Sequence, residues 1–155
     1  MINYQDFLYN IFPTKLRELK AETPALWGKM NAQQMIEHCA YIVSFSNGRF
    51  TSQTKDDAEK MAYRKMRFFE KDVNMPQNYR VDVVPEDPMP LQFQNIEDSK
   101  MFLFNQLQRF DDYFLEHPGI TTTHFTLGEL NYDEWKIMHA RHFRHHLKQF
   151  GLWSE

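Results

Sequence analysis

The chain has 155 residues, of which 42% are hydrophobic and 15% aromatic, and a formal net charge of −3. This predicts one packed domain over residues 1–155, excludes a disordered chain and gives no basic excess for nucleic acid. The one cysteine, Cys39, excludes an intrachain disulfide. It fits a reducing cytosol, and with no apolar run near the ~18 residues of a membrane span and no signal-peptide start at Met1–Asp6, a cytoplasmic protein is expected.

Residues 4–20 carry Tyr4, Phe7, Leu8, Ile11, Phe12, Leu16 and Leu19 at helical spacing, interrupted by Pro13. The reading is a short helix, a kink or turn, and a second short helix. Residues 21–30, with Thr23-Pro24 and Gly28, form a connector whose Trp27 packs down on the core. A strong helix follows at 31–47. Asn31 is its cap, Gln34 completes a capping box, and Asn47-Gly48 stops it. Met35, His38, Cys39, Ile42 and Phe45 share its apolar side. A further helix spans about 56–71, with Met61, Ala62, Lys65, Met66 and Phe69 on one side.

Residues 73–93 contain Pro76, Pro85, Pro88 and Pro90, which forbid a regular helix. Tyr79–Val84 reads as a short extended piece. A loop this long is either a lid or binding loop, or an ordered strap over the core. The next helix covers 97–116, with Met101, Phe102, Phe104, Leu107, Phe110, Phe114 and Leu115 as its apolar residues. Asp98 or Glu97 serves its N-terminus. Residues 120–130 are Thr-rich, with Gly128 at a turn. The final helix runs 132–150, capped by Asn131 with Glu134 completing a second capping box. The sum is an all-α fold: four main helices after an N-terminal helical segment, with a long Pro-rich loop.

Four of the seven histidines lie in the last helix, at 139, 142, 145 and 146. At 100° per residue, His139, His142 and His146 share a face with Trp135, Phe143 and Phe150. Arg141, Arg144 and Lys148 take the opposite face, read as solvated. His145 lies at the boundary. Imidazoles on a core face need a partner. His142 and His146, four apart, can grip one metal ion as helical His-x-x-x-His sites do. His38, the one histidine before His117, lies on an apolar helix face and is the natural third ligand. His139 competes, and spacing alone does not decide among the combinations. The alternative is a set of core-edge histidines satisfied by carbonyls, Tyr or Glu. His117, His124 and His145 read as solvated or supporting residues. Cys39, mid-helix among apolar residues, reads as a buried thiol and not a nucleophile. No Gly-rich phosphate loop, Gly-x-Ser-x-Gly or Cys-x-x-Cys occurs.

Two segments carry a family resemblance. Leu26-Trp-Gly-Lys-Met-Asn-Ala-Gln-Gln-Met-Ile-Glu-His38 runs into the first strong helix. Thr126-Leu-Gly-Glu-Leu-Asn-Tyr-Asp-Glu-Trp and the His142-x-x-x-His146-Leu-Lys-Gln-Phe-Gly151 run close the chain. Together they resemble the DinB-like family, which includes YfiT-type proteins, and within it a branch described as a domain of unknown function. The resemblance implies a four-helix bundle with a divalent metal, nickel or zinc, held by His38, His142 and His146. It leaves His139 and His145 outside the ligand set. It also implies homodimers and, in some members, transfer of a low-molecular-weight thiol to a small electrophile, with hydrolases and isomerases among the others.

The expected function is therefore a metal-dependent enzyme acting on a small-molecule substrate, with thiol S-transfer as its specific form. The alternatives are a metal-dependent hydrolase and a non-catalytic metal-binding module for dimerisation or ligand binding. No general base is evident: Glu37 adjoins His38 but is expected to point elsewhere. Tyr41 and Gln149 lie near ligands on their own helices and are expected to support them.

Overall fold

The computed structural model describes residues 1–72, 74–79 and 84–154. The chain order is α1 (Tyr4–Asp6), a π-helical segment (Phe7–Ile11), α2 (Phe12–Leu16), α3 (Ala32–Ser46), α4 (Ala58–Glu70), α5 (Ile96–Glu116), β1 (Thr122–His124), β2 (Gly128–Leu130) and α6 (Tyr132–Gln149). The fold is mostly helical with a small two-stranded sheet. The expected extended piece at 79–84 lies largely outside the described residues.

The expected break at Pro13 is absent, and the helix runs on in a widened form. Pro13 has no N–H and its ring crowds the carbonyl four residues back. The π segment relieves this: the Phe12 N–H reaches Phe7 O, five residues back. The Thr14 hydroxyl then donates to Asn10 O at 2.8 Å. Phe7, Leu8, Phe12 and Leu16 stay buried along this segment, which packs on α6.

The helix starts are built as their sequences dictate. The Asn31 and Asn131 side chains each accept a backbone N–H from Gln34 and Glu134, and their own backbone N–H groups donate in return to the side-chain oxygens of Gln34 and Glu134, two complete capping boxes. Asn95 caps α5 by accepting from Asp98 N–H, and Glu97 and Asp98 lie in its first turn. α3 is central, with α5 packed along it and α6 on another side. Buried Met35, Ile36, Cys39 and Val43 meet Leu103, Leu107, Phe110, Trp135, Phe143 and Leu147 in one apolar cluster. Two residues expected on the apolar side of α5, Met101 and Leu115, are 64% and 79% exposed.

α4 differs from the other long helices because none of its residues is buried. Partly buried Phe68 and Phe69 pack against the core, and polar pins add to them. Lys65 Nζ donates to Glu129 O on β2 at 2.8 Å and pairs with Glu134 at 3.0 Å. At its C-terminal end, Arg141 donates to Phe68 O, and Arg144 forms a two-pronged pair with Asp72. The expectation of a solvated Arg face on α6 is thus corrected: Arg141 and Arg144 are buried under the end of α4.

The all-α expectation is corrected at the Thr-rich stretch, which is a hairpin with Thr122 opposite Leu130 and His124 opposite Gly128. His124 is buried, not solvated. Its Nδ1 accepts the N–H groups of Thr126 and Leu127 at 3.1 and 3.2 Å, so the ring serves as the cap of the hairpin loop.

Candidate metal centre

The two strong helices bring three histidines to one point. α6 presents His142 and His146 one turn apart, and α3 presents His38 from the facing side. Their candidate ligand atoms all lie within 4.8 Å of one another. His142 Nε2 is 3.0 Å from His38 Nε2 and 2.9 Å from His146 Nε2. The rings stand nearly perpendicular to one another, with interplanar angles of 74°, 75° and 78°.

Hydrogen bonding alone does not satisfy this triangle. Gln149 fixes one corner: its Nε2 donates to Trp27 O at 3.0 Å, and its Oε1 accepts from His146 Nδ1–H at 2.7 Å. The neutral His146 ring therefore carries its proton on Nδ1, and its Nε2 is a lone pair. His142 Nε2 has one in-plane site, either a proton or a lone pair, yet faces two nitrogens at bonding distance. It can pair with one of them only. The His142 Nδ1 is buried with no hydrogen-bond partner among the described residues.

A cation between the rings removes the conflict, because all three Nε2 atoms then offer lone pairs. The spacing fits. Three nitrogens roughly 2.0–2.1 Å from one ion sit about 3.3 Å apart in a tetrahedron, or about 2.9 Å on an octahedral face. Three histidines this close can bind a metal.

The electrostatics point the same way. Burial pushes the His38 pKa down to about 4, with nearby His145 adding to the shift. Burial, then the neighbouring histidines, holds His142 well below the ordinary range. His146 is lowered chiefly by burial, with a smaller contribution from His38, although its bond to Gln149 opposes the shift. Neutral imidazoles are the form that ligates metals.

The model of the family described as "Protein of unknown function (DUF1569)" matches residues 10–151. The chain belongs to that family. No curated protein and no solved structure is similar enough to the chain to match it. The part matched to DUF1569 contains all three histidines, Gln149 and the walls of the cavity above them.

That cavity encloses about 460 Å³, and the three histidines line it. Aromatic side chains of Trp27, Tyr41, Tyr79 and Phe125 form much of the wall, with Met30, Met75 and Met138. Trp27 is half-buried and sits against His145 at 5.8 Å between ring centroids, so it belongs to the cavity and not, as expected, to the core. Gly28 beside it has φ of 82°, and a Cβ there would meet Gln149 Nε2 at 2.6 Å. A glycine is therefore needed for Gln149 to reach both Trp27 and His146.

Residues 84–90 and 92 of the Pro-rich loop also line the cavity. Lys29 pairs with Asp87 at 3.1 Å and Glu86 at 3.8 Å, tying this strap to the connector. At its other end, Glu37 Oε1 accepts the N–H groups of Gln92 and Phe93 at 2.7 and 2.9 Å. Glu37 was expected to point away; it lies in the cavity wall and anchors the strap.

His139 faces elsewhere. Its Nε2 is 2.7 Å from Ser46 Oγ, whose hydroxyl proton goes to Val43 O. The ring therefore donates from Nε2, and it stacks on Trp135 at 5.1 Å. Burial drives its pKa down to about 3. His145 is half-buried and His117 is exposed. Cys39 is fully buried, and burial pushes its thiol far up, so it is chemically quiet. The sequence reading missed His124, Glu37 and the connector around Gly28 as parts of this region. A histidine two residues before a Thr-Leu turn is the one cue that pointed to His124.

Proposed function

We propose that this DUF1569 member is a metal-dependent protein whose His38, His142 and His146 hold one divalent cation at the floor of a small-molecule cavity. The observation that carries the reading is His142 Nε2, which faces two imidazole nitrogens at 3.0 and 2.9 Å but can hydrogen-bond to only one. Three neutral imidazoles form a borderline nitrogen donor set, which suits zinc or nickel and does not suit the hard, oxygen-seeking magnesium or calcium. Three protein ligands leave further coordination positions open, the arrangement of catalytic and not of structural zinc sites.

When bound, such a cation supplies Lewis acidity and lowers the pKa of a coordinating water or thiol. The chain's own residues do the rest. Gln149 fixes the tautomer and orientation of His146, and Gly28 leaves room for it. The wall of Trp27, Tyr41, Tyr79 and Phe125 excludes water and binds apolar surface. Glu37 and Lys29 hold the strap across the opening.

The resemblance to DinB-like proteins, with their helical bundle, supports transfer of a small thiol to an electrophile as the reaction class, and a homodimer as the assembly. The cavity favours an enzyme or ligand-binding role over a purely structural metal. Metal titration followed by elemental analysis tests the site. The wild type should hold one zinc or nickel ion per chain, and His38→Ala, His142→Ala and His146→Ala should each lose it. Stoichiometric metal in all three variants would place the site elsewhere.

A further inference from the structure

The hairpin places a further histidine at the cavity, outside the triad. His124 lines the same cavity as His38, His142 and His146. Its backbone belongs to β1, and its Nδ1 accepts two backbone N–H groups, from Thr126 at 3.1 Å and Leu127 at 3.2 Å. An atom accepting two N–H bonds is a lone pair, so the proton of the neutral ring is on Nε2. The ring cannot turn over without breaking both bonds. Stacking on Phe125 at 4.3 Å and contact with Trp135 at 5.4 Å hold it from its faces. Burial drives its pKa down to about 3, so it stays neutral over the whole physiological range.

Several other polar groups around the cavity are engaged by the protein itself, although Glu37 Oε2 is buried without a partner among the described residues. Gln149 serves His146 and Trp27, Gln34 serves the cap of α3, and Glu37 Oε1 serves the strap. Two of the region's buried ring nitrogens, His139 Nδ1 and His142 Nδ1, are sealed from solvent without a partner among the described residues; His124 Nε2 is not sealed in this way.

We propose that His124 is a ligand-binding residue: a fixed neutral donor that gives its Nε2–H to an acceptor atom of a molecule held at the triad. The proposal rests on the metal reading of the triad. It specifies the ligand class further. The molecule is largely apolar, to match the aromatic wall. It carries a hydrogen-bond acceptor, such as a carbonyl oxygen or the far end of a small anion, close to the atom that meets the metal. A neutral imidazole donor polarises such an acceptor without giving up its proton, as electrophilic histidines do.

The test uses azide, a small anion with an acceptor at each end, on cobalt-loaded protein, followed by the visible spectrum. The comparison is with His124→Asn, whose side-chain oxygen can still accept from Thr126 and Leu127 as an Asx-turn but offers no donor at the Nε2 position. Azide should bind the variant at least about tenfold more weakly, the loss of one hydrogen bond to a charged acceptor, with cobalt stoichiometry unchanged. A second measurement needs no variant. In zinc-loaded wild type, the His124 Nε2–H proton resonance should be present at pH 7 and should move on adding azide. Equal azide affinity with cobalt retained, or a resonance that azide does not move, overturns the role of His124. A wild type that takes up no cobalt overturns the triad reading and this role with it, an outcome distinguished by the metal content alone.

Discussion

Acidification probes how the core treats the two buried histidines that stand apart from the triad. In the folded protein, burial lowers the pKa values of His124 and His139 to about 3 from an ordinary 6.5. The sign follows from proton counting. Below pH 6.5 the unfolded chain binds protons at these rings and the folded chain does not, so stability is full above 6.5 and falls as the pH drops toward 3. Each ring then costs about 1.4 kcal/mol per pH unit once well below 6.5, or about 2 kcal/mol between pH 7 and pH 5. The pair together removes about 4 kcal/mol, a large part of the 5–15 kcal/mol typical of a domain. Urea denaturation of the metal-free protein at pH 7, 6 and 5 measures this. His139→Gln can keep a donor to Ser46 and removes one titrating group. Its loss of stability from pH 7 to 5 should be about 2 kcal/mol smaller than that of the wild type. Equal pH slopes in the two proteins would refute the argument, because His139 would then titrate alike in the folded and unfolded states.

Three further outcomes are expected. Gln149→Leu removes the acceptor of His146 Nδ1–H and should weaken zinc binding about 10- to 100-fold in a chelator competition, with the three ligands intact. Asp72→Ala removes the carboxylate that pairs with the buried Arg141 and Arg144. It should cost about 1–3 kcal/mol in urea denaturation, the lower part of the range because Asp72 is 40% exposed. Glu37→Gln keeps an oxygen for the Gln92 and Phe93 amides and Glu37→Ala does not. Hydrogen exchange at those two amides should therefore be at least about tenfold faster in the alanine variant than in the glutamine variant.

The helices were legible because local chemistry marks them. Asn31 with Gln34, and Asn131 with Glu134, are capping boxes in sequence and in structure, and Asn47-Gly48 and Gly151 mark the ends of these two helices. The apolar face of α6 also told which histidines point inward. What was hidden depends on contacts distant in sequence. Arg141 and Arg144 read as solvated because nothing local says that Phe68 and Asp72, about 70 residues earlier, will cover them. The hairpin at Thr122–Leu130 escaped because its strands have three residues each, too few for an alternating pattern. Its β-branched threonines and Gly128 were the available cue. Spacing alone did not separate His139 from the triad; the family resemblance did, and its partner Ser46 lies on another helix. Pro13 was read as a break because the π turn that absorbs it leaves no trace in hydrophobic spacing.

X-ray absorption of the zinc- or nickel-loaded protein tests the central claim most directly, because it counts imidazoles around the ion. Three imidazole nitrogens at about 2.0–2.1 Å are predicted, with the remaining positions filled by lighter, exchangeable ligands. A first shell with two or fewer imidazoles, or with the sulfur of Cys39, would contradict the assignment of the metal to His38, His142 and His146.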